Sequence, residues 1–143
     1  MHTYWGQGTA NVRDICGRTP DEVFALLLKV WCPETCAPRM REKWTPEDPT
    51  LGQCSVTAFL AQDLFGGQVL GVPLGDGHYH CFNAVDGCAF DLTSEQFAGR
   101  ALDYAHAEAQ SRDVHFAKSE KLARYELLKR LLADAGSRAR PDR

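Results

Sequence analysis

Residues 78–92 read HYHCFNAVDGCAFDL and contain the strongest β-hairpin signal in the chain. The dipeptide Asp86-Gly87 is typical of a two-residue turn, because aspartate and glycine tolerate the left-handed backbone that such turns require. Extended segments flank it on both sides, at residues 78–83 and 88–92. The sequence therefore predicts an antiparallel hairpin whose pairing is fixed by this turn.

The predicted pairing assigns the polar side chains of the hairpin to faces. A two-residue turn places Phe82 opposite Asp91, and His80 then lies on the same face as a diagonal neighbour of Asp91. His78 points to that face too but lies one pair farther away. We therefore expect His80 to be a general base and Asp91 to orient its ring. A longer turn would shift the pairing and give the role to His78.

A second decisive stretch, residues 52–58, reads GQCSVTA and is expected to open a helix. Apolar residues at helical spacing follow it: Val56, Phe59, Leu60 and Leu64. A cysteine at a helix N-terminus lies near unpaired N–H groups and the positive end of the helix dipole, which stabilise a thiolate. Cys54 is therefore the candidate nucleophile, and its backbone N–H and the Gln53 side chain are candidate oxyanion donors.

Other residues are candidates for substrate or metal binding. Trp31 and Trp44 could form the walls of a substrate cleft, with a position in the core as the alternative for both, and His78 could help to position a substrate. Histidines two apart on one strand also resemble a metal-binding pair, but Cys81 falls on the opposite face and gives no third ligand. We expect no metal and no cofactor.

The composition excludes several functional classes. A chain of 143 residues with 44% hydrophobic and 24% charged residues is typical of one soluble domain. The net charge of −3 provides no basic surface for nucleic acid. The longest apolar run, residues 23–28, is too short to cross a membrane, and the start lacks the pattern of a signal peptide. We therefore expect a cytoplasmic protein with six reduced cysteines and neither nucleic acid nor membrane as a partner.

The remaining elements complete an α+β pattern. Residues 19–22 read TPDE and combine an N-cap threonine, a proline at the first helical position and the glutamate of a capping box. The other predicted elements, in chain order, are a helix ending near Trp31, a proline-rich loop over 33–53, a strand over 68–72, a short helix from Thr93 and a helix over 119–135. We expect a flexible arm over 1–18, a frayed tail over 136–143 and a single domain over 1–143.

The order of the candidate residues resembles that of the transglutaminase-like branch of papain-like cysteine enzymes. In those folds a cysteine at a helix start is followed by a histidine and an aspartate on a sheet, as Gly52-Gln53-Cys54 is followed by His80 and Asp91 here. Position 55 is serine, where eukaryotic transglutaminases have tryptophan. The resemblance implies N-terminal helices packed on a small antiparallel sheet with a C-terminal helix. It also implies acyl transfer by a Cys-His-Asp triad.

A second resemblance covers residues 24–132. The chain is similar to the bacterial YunG-like family, a group of small proteins for which no substrate is implied. The similarity rests on linked motifs at residues 31–35, 44–58, 65–67, 91–97 and 124–128, which include PTLGQCSVTA, DLTSEQF and RYELL.

Three classes of function remain open from the sequence. The first is a hydrolase or acyltransferase that acts on a small-molecule or peptide amide, as an amidase, peptidase, deamidase or transglutaminase-like enzyme, with a protein partner as a further option. The second is a biosynthetic lyase or cyclase that reuses the Cys54 thiol and the histidine. The third is a binding module without catalysis, in which the Cys54 thiol would be sluggish.

Overall fold

An antiparallel sheet forms the centre of the fold in a computed structural model, which describes residues 1–98, 100 and 102–139. Its five strands are β1 (Trp5–Gln7), β2 (Gln68–Pro73), β3 (Tyr79–Val85), β4 (Cys88–Asp91) and β5 (Glu108–Ala109). Their order across the sheet is β1-β4-β3-β2-β5. The long hairpin β3–β4 thus lies in the middle, where neighbouring strands and packed helices hold its residues in place.

Helices pack on one face of this sheet and form the core with it. They are α1 (Pro20–Val30), α2 (Cys54–Phe65), α3 (Arg112–Phe116) and α4 (Ser119–Ala139). Helix α2 packs against β3 and α4, and α1 packs against α4. The predicted α+β class is therefore confirmed. No helix in the described part of the chain combines the length and the apolar character that a membrane span requires.

The hairpin turn has the predicted form. Asp86 and Gly87 both have positive φ, at 50° and 80°, as a two-residue hairpin turn demands. Val85 pairs with Cys88, and Asn83 pairs with Phe90. The predicted register is therefore confirmed.

The first helix begins with the predicted capping box. The Glu22 backbone N–H donates to the Thr19 hydroxyl at 3.1 Å, and the Thr19 backbone N–H donates to the Glu22 carboxylate at 3.0 Å. These bonds satisfy donors that a helix start otherwise leaves unpaired. The start of helix α1 is thereby fixed at Pro20.

Both chain ends differ from the prediction. Within the expected arm, β1 pairs with β4, and the Trp5 ring stacks on Tyr104 with centroids 3.9 Å apart. At the other end, Gly136 lies inside α4, which continues to Ala139. A Cβ on Gly136 would come within 2.8 Å of the Arg18 guanidinium, so this glycine permits close packing and does not end the helix. The predicted tail beyond residue 139 lies outside the described residues.

Leu128 on α4 is the core position that we choose for a stability test. Its side chain is fully buried in the cluster formed by α1, α2, α4 and the sheet. Leu128→Ala is expected to lower the free energy of unfolding by about 2–5 kcal/mol, because a cavity replaces tightly packed atoms. Leu127→Ala, at the partly exposed neighbouring position, should cost clearly less in the same urea titration. Equal losses for the two variants would contradict this packing.

Candidate active site

The structure brings His80 and Asp91 together in the centre of the hairpin. His80 Nε2 lies 2.6 Å from Asp91 Oδ2, and both side chains are fully buried. A buried carboxylate needs hydrogen-bond donors, so Nε2 carries a proton and donates it to Asp91. The ring therefore presents its other nitrogen, Nδ1, away from the aspartate.

Asp91 is held by further donors. Its Oδ1 accepts from the Thr93 backbone N–H at 3.2 Å, and its Oδ2 accepts from the Tyr104 hydroxyl at 2.7 Å. Burial, and then the Asp91 carboxylate, raise the pKa of Tyr104, so its hydroxyl stays protonated and remains a donor. Trp5, stacked on the Tyr104 ring, fixes that tyrosine in turn. The carboxylate is thereby held in one orientation.

The His80 ring is fixed on its other sides as well. It packs edge-on against Phe97, with ring centroids 4.6 Å apart. Among the described residues, none completes a standard hydrogen bond with the buried Nδ1. Burial disfavours the charged ring, but the hydrogen bond with Asp91 and the neighbouring Cys54 outweigh it and raise the pKa of His80 to about 10. His80 is therefore an imidazolium at neutral pH.

Cys54 is the first residue of α2, as the sequence predicts, and its side chain is partly exposed. The Cys81 thiol foremost, and then the His80 ring, stabilise a thiolate there and outweigh the effect of burial. The pKa of Cys54 is therefore well below its ordinary value. The lowered pKa favours a thiolate beside the charged His80 ring, which is the reactive form of a cysteine nucleophile.

The position of the thiol follows from the point at which β4 leaves β3. Pairing between the two strands stops at Asn83 and Phe90, so the β4 side of β3 is open at His80 and Cys81 within the described residues. Side chains of consecutive residues leave a strand on opposite faces. The Cys54 thiol interacts with the side chains of both His80 and Cys81 and with the Cys81 backbone, so it must lie at this open edge.

Sequence reasoning missed Cys81 in this role. The alternation of side chains along β3 correctly placed Cys81 on the face opposite His80. Asn83, on the same face as Cys81, donates its side-chain N–H to the Ala58 carbonyl on α2 at 2.8 Å. That face carries α2, however, so Cys81 contacts the helix start that bears the nucleophile. Its own pKa is raised, by Cys54 first and then by burial, and it therefore remains a neutral thiol.

Comparison with known proteins assigns the chain to a family. The family described as YunG protein matches residues 19–136. The chain belongs to the YunG family. "Uncharacterized protein YunG" of Bacillus subtilis (strain 168) is 37% identical over 79 residues, which are 55% of this chain and 67% of that relative. No solved structure matches the chain. The resemblance to the YunG-like family is thus confirmed, and the matched region of this chain contains Cys54, His80 and Asp91.

Gln53, the other predicted oxyanion donor of this YunG-family chain, is fully buried. Its side-chain Nε2 donates to the Cys32 carbonyl at 3.1 Å, which occupies one of its two N–H groups. Gly52 beside it has φ +71°, and a Cβ there would come within 2.5 Å of Cys36 Sγ, so only glycine fits. The loop before α2 is therefore held rigidly, and the backbone N–H groups of the first helical turn are candidate oxyanion donors.

Three other predicted binding residues lie elsewhere. Trp31 is only 4% exposed, and its indole N–H donates to the Thr57 hydroxyl on α2 at 2.9 Å. It is thus a core residue that supports α2, which corrects its assignment as a cleft wall. The Trp44 indole N–H donates to the Pro49 carbonyl at 2.9 Å and fixes the proline-rich loop. His78 is exposed in the loop before β3, and the structure does not bring it to Asp91.

Proposed function

We propose that this YunG-family protein is a thiol-dependent acyl-transfer enzyme. The observation that supports this function is the Cys54 thiolate at the N-terminus of α2, next to a His80 ring that Asp91 holds by a 2.6 Å hydrogen bond. A structural cysteine needs neither a lowered pKa nor an oriented imidazolium. A nucleophile that attacks a carbonyl and then expels a poor leaving group needs both.

The proposed reaction has two steps. The Cys54 sulfur attacks the carbonyl carbon of an amide or ester, and backbone N–H groups of the first turn of α2 bind the developing oxyanion. The proton on His80 Nδ1 passes to the leaving nitrogen or oxygen, and the carbon–heteroatom bond breaks to leave a thioester. Water or an amine then attacks the thioester while His80 takes up the proton of the nucleophile, and the Cys54 thiolate is released.

The arrangement also supports a papain-like or transglutaminase-like relationship as a proposal. The nucleophile begins a helix, and the histidine and aspartate lie on adjacent antiparallel strands of the sheet against which that helix packs. Amides of small molecules or peptides are the proposed substrates.

Acylation by an activated ester tests this function without knowledge of the natural substrate. With p-nitrophenyl acetate we expect a burst of one nitrophenol per protein molecule, and peptide mapping should find the acetyl group on Cys54. In a parallel experiment, limited iodoacetamide at about pH 6 to 7 should label Cys54 before the other cysteines, because its thiolate persists there. Cys16 and Cys32 are internal controls. Labelling of Cys54 at the rate of Cys16 would exclude it as the nucleophile.

A further inference from the structure

A second polar cluster, formed by Gln110, His115 and Lys121, lies beside the site and has no part in the chemistry proposed above. The Gln110 backbone N–H donates to the Val69 carbonyl at 2.9 Å, which fixes Gln110 at the edge of β2. Its side-chain amide lies against Gly71, where a Cβ would come within 2.5 Å of Nε2. Because Gly71 pairs with Cys81, the cluster begins directly next to Cys81 on the face that carries α2.

The three side chains form a directed chain of hydrogen bonds. Gln110 Oε1 lies 2.9 Å from His115 Nε2, so that nitrogen carries the proton. His115 Nδ1 is then free to accept from Lys121 Nζ, also at 2.9 Å. Burial, and then the charge of Lys121, lower the pKa of His115 to about 4, so the imidazole is neutral and the lysine carries the charge. The His115 ring also packs on Phe59 of α2, with centroids 5.0 Å apart, which holds the cluster against the helix of the nucleophile.

The Lys121 ammonium is oriented but not neutralised. It is partly exposed, and no carboxylate in the described part of the chain forms a salt bridge with it. Arg124, one turn along the same helix, differs in this respect because Glu120 pairs with it at 2.7 Å. An ammonium has three donors, and His115 uses one of them. A fixed cation with unused donors therefore faces the region of Cys54 and Cys81, and the negative charge of a Cys54 thiolate favours the charged lysine.

We infer that Lys121 binds a carboxylate of the substrate next to Cys54. The substrate class is thus an amide that also carries a free carboxylate, within a few bonds of the carbonyl that Cys54 attacks. Gln110 and His115 are positioning residues that hold the ammonium in place. This inference rests on the proposed function, because it assigns an anionic substrate to the same thiol.

Two alkylating reagents of nearly equal size, one anionic and one neutral, test the inference on the whole protein. Iodoacetate carries the carboxylate and iodoacetamide does not, so the ratio of their rate constants at Cys54 measures attraction of an anion to the site. Lys121→Met should lower that ratio roughly threefold to tenfold, as expected for loss of one nearby charge. Added salt should also lower the ratio of the iodoacetate rate constant to the iodoacetamide rate constant in the wild-type protein.

Matched variants separate this effect from general ones. Lys118→Met removes a neighbouring exposed lysine and should change the ratio by less than about twofold. Lys121→Arg keeps the charge and should preserve most of the preference, while Lys121→Gln repeats the loss with a polar side chain. An unchanged ratio in both Lys121→Met and Lys121→Gln would overturn the carboxylate site and leave the nucleophile intact. Slow reaction of wild-type Cys54 with both reagents would instead contradict the proposed function.

Discussion

Cys54→Ala is expected to abolish acyl transfer, by a factor on the order of 10⁶, because the variant lacks the sulfur that forms the thioester and the neighbouring Cys81 is a neutral thiol. The free energy of unfolding should change by less than about 1 kcal/mol. Cys54 is partly exposed at the start of α2, and alanine fits a helix well. Loss of activity without loss of stability is the signature of a nucleophile.

The measurement pairs acetyl-ester turnover with urea unfolding of the same samples. Cys32→Ala is the matched control, since Cys32 is also partly exposed and lies outside the site. It should retain full turnover. If Cys54→Ala fails to fold, Cys54→Ser keeps a side chain of similar size and separates the two roles. Full turnover in a folded Cys54→Ser variant would exclude the nucleophile assignment.

The local features of the site could be predicted from the sequence. The Asp86-Gly87 turn permits one hairpin register, and that register alone makes His80 and Asp91 diagonal neighbours. Glycine at position 52 and the apolar periodicity after it place Cys54 at a helix start. Both are short-range effects, in which backbone conformation within a few residues determines the result.

The supporting residues depend on contacts that a local pattern cannot encode. Strand β1 has three residues and β5 has two, too few for an alternation of apolar and polar residues to be visible. Their positions come from open hydrogen-bonding edges of β4 and β2. Trp5 therefore reaches the Tyr104 ring, and through it Asp91, across about 100 residues of chain that no short motif links.

Cys81 shows a different limit. Alternation along β3 gave its face correctly, but only the packing of α2 reveals that this face carries the nucleophile. Gly136 is ambiguous for a similar reason: a glycine that ends a helix and one that permits close approach of Arg18 have the same appearance in a sequence. In both cases a tertiary contact determines the role of the residue.

The charge state of the site explains how its parts depend on one another. The Asp91 carboxylate keeps a proton on His80, and the charged ring helps to keep Cys54 ionised. We therefore expect the pair to be active between the lowered pKa of Cys54 and the pKa of His80 at about 10. Below this window the thiolate is protonated. Above it the ring has lost the proton that it gives to the leaving group, so the rate should fall on both sides.

The two histidines can be distinguished by variants on this basis. His80→Ala should reduce acyl transfer about 10³-fold or more, because the leaving group then receives no proton. It should also move the alkylation profile of Cys54 to higher pH, since one of the groups that stabilise its thiolate is gone. His78→Ala is the matched control and should retain most activity, because His78 is exposed in the loop before β3 and His80 is the histidine bonded to Asp91.

Asp91→Asn should fall between these two variants and alter the pH dependence in a defined direction. The amide keeps the shape of the carboxylate but lacks the charge that favours the imidazolium, so the pKa of His80 should fall from about 10 toward its ordinary value. The alkaline limb of the rate profile should therefore move to lower pH, while a merely structural role would lower the rate at every pH. Initial rates with an acyl p-nitroanilide, whose amine leaving group needs a proton, provide the measurement from about pH 5 to 11. An inactive His78→Ala beside an active His80→Ala would show that the hairpin pairs differently in solution and that His78 is the base.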